Sequence, residues 1–116
     1  HSGLQRADGV FGPIVVRQYD KDNIHLRQYD FDLSEHVIIV NDWINDTSIV
    51  KFANHHHNDG DNKPSSILIN GKGVLKRFID ENGTMYETPR AKFSVNRGYR
   101  YRFRLINGGF LYCPIE

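Results

Sequence analysis

The chain has 116 residues, of which 39% are hydrophobic and 25% charged, and its formal net charge is +1 at neutral pH. These proportions fit one small domain with a modest core, and the near-neutral charge gives no electrostatic footprint for nucleic acid or an acidic membrane surface. No run approaches the roughly 20 apolar residues needed to span a bilayer, and the single cysteine, Cys113, cannot close a disulfide within the chain.

The chain opens on His1 without an initiator Met or a charged-then-apolar leader, and it stops in mid-pattern at Phe110 to Glu116, so both ends read as cuts. Gly12-Pro13-Ile14-Val15-Val16-Arg17 is a β-branched run after a Gly-Pro breaker and is expected to form a strand. Gln18 to Glu35 is rich in Asp, Asn, Gln and Tyr without a sustained period, the composition of an extended connector at a domain boundary. A second strand is expected over His36 to Val40, and a third over Ser66 to Asn70, ended by Gly71-Lys72-Gly73. Between them, Asn54 to Asn62 reads as a polar surface loop, and no window supports a long amphipathic helix. Val74 to Ile79 and Met85 to Thr88 flank Glu81-Asn82-Gly83, whose Asn-Gly pair favours a tight hairpin turn. Asn45-Asp46-Thr47 and Asn82-Gly83-Thr84 fit the N-glycosylation pattern, which is compatible with export.

The strongest alternation comes late. Tyr99, Tyr101, Phe103 and Leu105 fall on one face of a strand and Arg100, Arg102 and Arg104 on the other, which predicts an aromatic core side and a charged exterior. The same separation argues against an RNA-binding sheet, which needs its aromatic and basic residues exposed together. Several short strands between turns predict an all-β sandwich or Greek-key barrel.

Candidate chemistry is concentrated in histidine. His55-His56-His57, followed by Asn58-Asp59-Gly60-Asp61-Asn62, suits loose capture of a divalent metal but lacks the ordered acidic ligands of an EF-hand. His25 and His36 sit in a polar connector and at a strand start and are given solvated or hydrogen-bonding roles, while Asp8 and Asp42 stand in turn-forming contexts that account for them structurally. Cys113 lies between Tyr112 and Pro114 with no flanking His, so it does not have the surroundings of a type 1 copper thiolate and reads as a core thiol or half of a disulfide.

His1-Ser2-Gly3-Leu4-Gln5-Arg6-Ala7-Asp8-Gly9-Val10-Phe11-Gly12-Pro13 resembles the second copper-ligand motif of the multicopper oxidases, and its wording looks particularly like insect laccases. The likeness continues through Asp30 to His36, Asn41-Asp42-Trp43, Asn54 to Pro64, Leu68 to Gly73 and Gly98 to Arg104. It implies a cupredoxin-like Greek-key sandwich, incomplete here: residues 1–20 ending a first cupredoxin-like domain, 21–32 an inter-domain connector and 33–116 the first part of a second domain. It also implies that His1 ligates one of the paired type 3 coppers of a trinuclear cluster, the other ligands and the type 1 copper lying beyond this chain. Imidazole suits copper because its nitrogen is a borderline donor.

On the same resemblance the whole protein is an extracellular, copper-dependent oxidase that takes single electrons from phenols or catechols and reduces oxygen to water. Cuticular tanning is the implied setting, and this chain by itself is inactive. A ferroxidase or an ascorbate-oxidase-like enzyme shares these features. A non-catalytic extracellular β module, binding a partner or a loosely held metal through its His tract, is the alternative from another class. Upstream His-x-His and downstream His-Cys-His motifs distinguish the two. A half-sandwich leaves strand edges and apolar surface uncovered, so the isolated chain is expected to aggregate or to fold only in part.

Overall fold

The computed structural model describes residues 3–57, 63–73 and 78–110. Their elements in chain order are α1 (Gly3–Ala7), β1 (Val37–Trp43), α2 (Ser48–His57), β2 (Ser66–Ile69), β3 (Phe78–Ile79), β4 (Met85–Tyr86) and β5 (Arg104–Asn107), with single 3-10 turns at Asp20–Asp22 and Ser34–His36. β1 is the central strand of a three-stranded sheet of order β2-β1-β5, and β3 and β4 form a separate ribbon. β2 runs antiparallel to β1, with Val40 opposite Ile69 and Trp43 opposite Ser66. β5 runs parallel to it, from Val37 opposite Arg104 to Val40 opposite Asn107. A parallel neighbour cannot be reached by a tight turn, which is why β5 arrives only after a long excursion through β2, β3 and β4.

The β-branched run Val37-Ile38-Ile39-Val40 forms the first half of β1 and pairs along one edge with β5, while β2 pairs from Val40 onward; Val37 and Ile39 are buried on one face. The chain then reverses after β2 on Asn70-Gly71, both with positive φ (50° and 72°), while Ile69 and Lys72 exchange backbone hydrogen bonds at 2.9 and 3.0 Å. This is the two-residue hairpin in which Asn-Gly is the favoured pair. The Asn70 side chain also reaches β1: the Ile39 N–H donates to its Oδ1 at 2.7 Å and its Nδ2 donates to the Val37 carbonyl at 2.9 Å. The second Asn-Gly pair behaves differently. Gly83 has φ 79° and closes the turn Asp80–Gly83, but Asn82 keeps negative φ, so the ribbon turns through a wider five-residue loop from Asp80 to Thr84. Asp80 holds that loop, its Oδ1 accepting the N–H groups of Asn82 and Thr84 at 2.9 and 2.7 Å.

Three expectations are corrected. Residues 12–17 form no strand: the segment is irregular, with Ile14 and Val16 at 90% and 84% exposure, because no strand among the described residues comes alongside to pair with it. The His tract does not belong to a loop, since His55, His56 and His57 end the helix α2, although Asn58 to Asn62 lie outside the described residues. The cause is distant in sequence. Asp8 caps α2, accepting the Ser48 N–H at 2.7 Å on Oδ1, and Ser48 Oγ lies 2.8 Å from its Oδ2. A carboxylate at a helix N-terminus satisfies an orphan N–H and complements the helix dipole. Finally, the late alternation does not divide into core and exterior: Leu105 is 67% exposed and Tyr99 56%, whereas the Arg104 side chain is only 22% exposed. The expected hairpin strand over Val74 to Arg77 lies outside the described residues.

Among the described residues, only Ala7, Val37, Ile39 and Ile44 are buried hydrophobic residues. The radius of gyration is 18.4 Å, against about 13.4 Å for a compact domain of this length. The accessible surface is 9638 Å², against about 6,500 Å² for a compact monomer of this mass. A core this small leaves the strand faces dependent on further protein to cover them.

Two outcomes follow. The 116-residue chain alone should melt without a cooperative transition and bind a hydrophobic dye strongly, and a sharp reversible melt would contradict this. Asn70→Ala should speed hydrogen exchange at the Ile39 amide by at least about tenfold, since it removes two hydrogen bonds and a residue that tolerates positive φ. Asn70→Gly should do the same despite its free φ, and an unchanged rate in Gly would mean the side-chain bonds contribute nothing.

Candidate functional site

The most concentrated polar chemistry lies where residues 30–32 pass residues 100–104. Phe31 bridges Tyr101 in parallel, with Asp30 N–H and Phe31 N–H donating to the Arg100 carbonyl at 2.8 and 3.1 Å and Arg102 N–H to the Phe31 carbonyl at 2.9 Å. This register sets acids at 30 and 32 beside arginines at 100, 102 and 104. Arg100 forks onto Asp30, Nη2 to Oδ1 at 3.0 Å and Nε to Oδ2 at 3.3 Å. Arg104 forks onto Asp32, Nη2 to Oδ2 at 2.6 Å and Nε to Oδ1 at 3.1 Å. Asp32 also receives Arg17 at 3.1 Å and lies 3.9 Å from Arg102. Such two-pronged, charge-assisted contacts are the stronger kind of ion pair.

The Arg104 fork holds the Asp32 carboxyl below the usual carboxylate range against the opposing cost of burial, with Coulombic help from Arg104, Arg17 and Arg102. The Arg100 side chain does the same for Asp30, and the Thr84 backbone N–H for Asp80.

On the opposite side of the same strand, His36 is fully buried against Tyr101 (ring centroids 5.0 Å apart) and Phe103 (4.7 Å). Its Nε2 lies 3.1 Å from the Ser94 carbonyl, which can only accept, so Nε2 carries the hydrogen. His36 therefore acts as a hydrogen-bonding core residue, within the roles expected for it. His25 is exposed, its Nδ1 3.2 Å from Gln28 Oε1. Asp8 is the α2 cap, and Asp42, buried, accepts the Phe110 N–H at 3.0 Å. Asp8 stands in a turn, as expected, whereas Asp42 lies within β1 and not in a turn. Asn45 and Asn82 are exposed.

The expected copper ligand His1 lies outside the described residues, as does Cys113. Among the described residues, no three His, Cys, Asp or Glu side chains come together in a way that could hold a metal ion. His55, His56 and His57 are exposed on consecutive positions of α2, and successive helical side chains diverge by about 100°, so the three cannot close on one ion. The described residues by themselves do not fit a copper site. Also among the described residues, no helix is long and apolar enough to cross a membrane.

Comparison with known proteins settles the class. The family model described as Multicopper oxidase matches residues 34–112, about two-thirds of the chain. The chain is 37% identical over 107 residues to Laccase-1 of Thanatephorus cucumeris, covering 92% of this chain and 17% of that protein. It is 38% identical over 109 residues to Laccase-1 of Fomitopsis schrenkii, with coverages of 92% and 17%, and 36% identical over 107 residues to Laccase-5 of Trametes versicolor, with 92% and 18%. This chain belongs to the multicopper oxidase family, and its fold class is all-β and cupredoxin-like. It spans about a sixth of the length of the curated relatives it matches. These relatives do not come from insects, so the insect-like wording around His1 gains no support from them.

The arginine cluster yields a pH dependence. The folded pKa of Asp32 is depressed, so its contribution to stability is fully present above the ordinary carboxylate value of roughly 4 and is lost as pH falls through the lowered folded value. Hydrogen-exchange protection of the Phe31 and Arg102 amides should therefore hold from neutral pH to about 4 and fall below it. Asp32→Asn should be less protected at neutral pH and should lack most of that acid-side fall, while an unaltered profile would remove Asp32 from the account.

Proposed function

We propose that this chain is one stretch of a laccase-type multicopper oxidase that oxidises phenols or diphenols by one-electron steps and reduces oxygen to water. The observation that carries the reading is the match of residues 34–112 to the family, joined to relatives named as laccases that align with 92% of the chain. In this reading His1 is a ligand to one of the type 3 coppers, and copper, in the type 1 site and the trinuclear cluster, supplies the redox chemistry of the whole protein. The Ser2 to Pro13 segment that follows His1 would then fix the ligand against the second domain through the Asp8 cap on α2. Residues 1–20 close a first cupredoxin-like domain, 21–32 connect, and 33–116 begin a second, a division supported by the start of the family match at residue 34. The protein works outside the cell on small phenolic or catechol substrates with oxygen, and the 116-residue chain alone is inactive.

The test uses the whole protein loaded with copper. It should consume oxygen with catechol, His1→Ala should abolish turnover while leaving the protein folded, and the 116-residue chain should show none. Full activity in His1→Ala would overturn the assignment of that ligand, and no oxygen uptake by the copper-loaded whole protein would overturn the laccase reading.

A further inference from the structure

The arginine cluster does more than join two segments, because it carries more positive charge than its own acids neutralise. Arg17, Arg102 and Arg104 face a cleft of about 540 Å³, a size within the range of small-molecule sites. The carboxylates that line the same cleft are Asp32 and Asp20, so three cations meet two anions. Asp32 has given both oxygens to the Arg104 fork and shares one with Arg17. Arg102 is left 3.9 Å from that carboxylate, its guanidinium instead set over the Tyr29 ring at 5.3 Å, with Nη1 3.5 Å from the Tyr29 hydroxyl. A planar guanidinium held by a ring and only weakly contacted by an acid presents its donor edge ready for a planar two-oxygen acceptor. Val16 and Ile24, each 84% exposed, also line the cleft, so it offers apolar surface as well as charge.

We propose that this cleft binds a carboxylate monoanion with an apolar body, its two oxygens on Arg102 and its hydrocarbon part against Val16 and Ile24. One added negative charge balances the excess of one, which is why a monoanion fits better than a phosphate dianion. The carboxylate comes either from a free organic acid or from an Asp or Glu side chain of the longer protein. The proposal does not rest on copper or on the oxidase reading, since none of these residues is a candidate metal ligand.

The experiment titrates the whole protein with benzoate by calorimetry, and with benzamide as a neutral isostere. Saturable benzoate binding, no benzamide binding, and about tenfold weaker benzoate binding in Arg102→Gln support the free-acid source. Arg100→Gln, whose acid partner Asp30 lies outside the cleft, should bind as the unsubstituted protein does. Should Arg102→Gln not fold, Arg102→Lys serves: it keeps the charge, loses the planar fork, and should still bind benzoate more weakly. Absence of benzoate binding, together with an Asp or Glu side chain seated on Arg102 in a crystal structure of the whole protein, supports the internal source. Equal benzoate affinity in the Arg102 variants, or neither benzoate nor a protein carboxylate at Arg102, overturns the proposal.

Discussion

The described fold depends on one strand having both edges occupied. β1 is paired by β2 on one side and by β5 on the other, and no other described strand has two partners. A parallel neighbour brings residues 104–107 beside residues 37–40, a closure of the chain over a long sequence interval whose entropic cost must be met by the contacts it creates. The contacts gathered there are the right kind. Val37 and Ile39 are buried, His36 is enclosed by Tyr101 and Phe103, and the Asn70 turn supplies side-chain bonds to β1 just where β2 has ended.

On the charged side of the same junction the arginines become more covered along the chain, from Arg100 at 61% side-chain exposure to Arg102 at 31% and Arg104 at 22%. The physical reason is that Asp32, with only 11% of its side chain exposed, cannot be left without partners, and a hydrogen bond to an ionised group contributes about 1.5–3 kcal/mol when well formed. The exposed pair Arg100–Asp30 adds little by comparison, as surface ion pairs do. Apolar side chains at Ile14 and Leu105 have no such requirement and stay exposed.

Much of this was legible in the sequence where the cause is local. The β-branched run at 37–40 and the strand at 66–69 could be read directly, because period and composition act over a few residues, and the family was legible as a resemblance of motifs. Remote causes were not legible. α2 has β-branched residues in its first turn and is capped by a carboxylate forty positions earlier, so neither propensity nor its immediate neighbours announce it. The tight Asn-Gly hairpin was expected at Asn82-Gly83 and occurs at Asn70-Gly71, where Asn70 has β1 to bond to. The arginine cluster did leave a trace: acids two apart at 30 and 32 match arginines two apart at 100, 102 and 104, a pairing that alternation alone can suggest once the two segments are set side by side. The predicted copper ligand, His1, lies outside the described residues.

The family assignment rests on residues 34–112, and the oxidase reading asks more of the protein than that stretch contains. The most direct measurement is to sequence the coding region on either side of His1 and Glu116 in the source transcript. The account predicts a histidine two residues before His1, completing a His-x-His pair, and a His-Cys-His segment downstream of Glu116. A transcript that continues on both sides without either motif would contradict a copper oxidase and leave a cupredoxin-like module with another task.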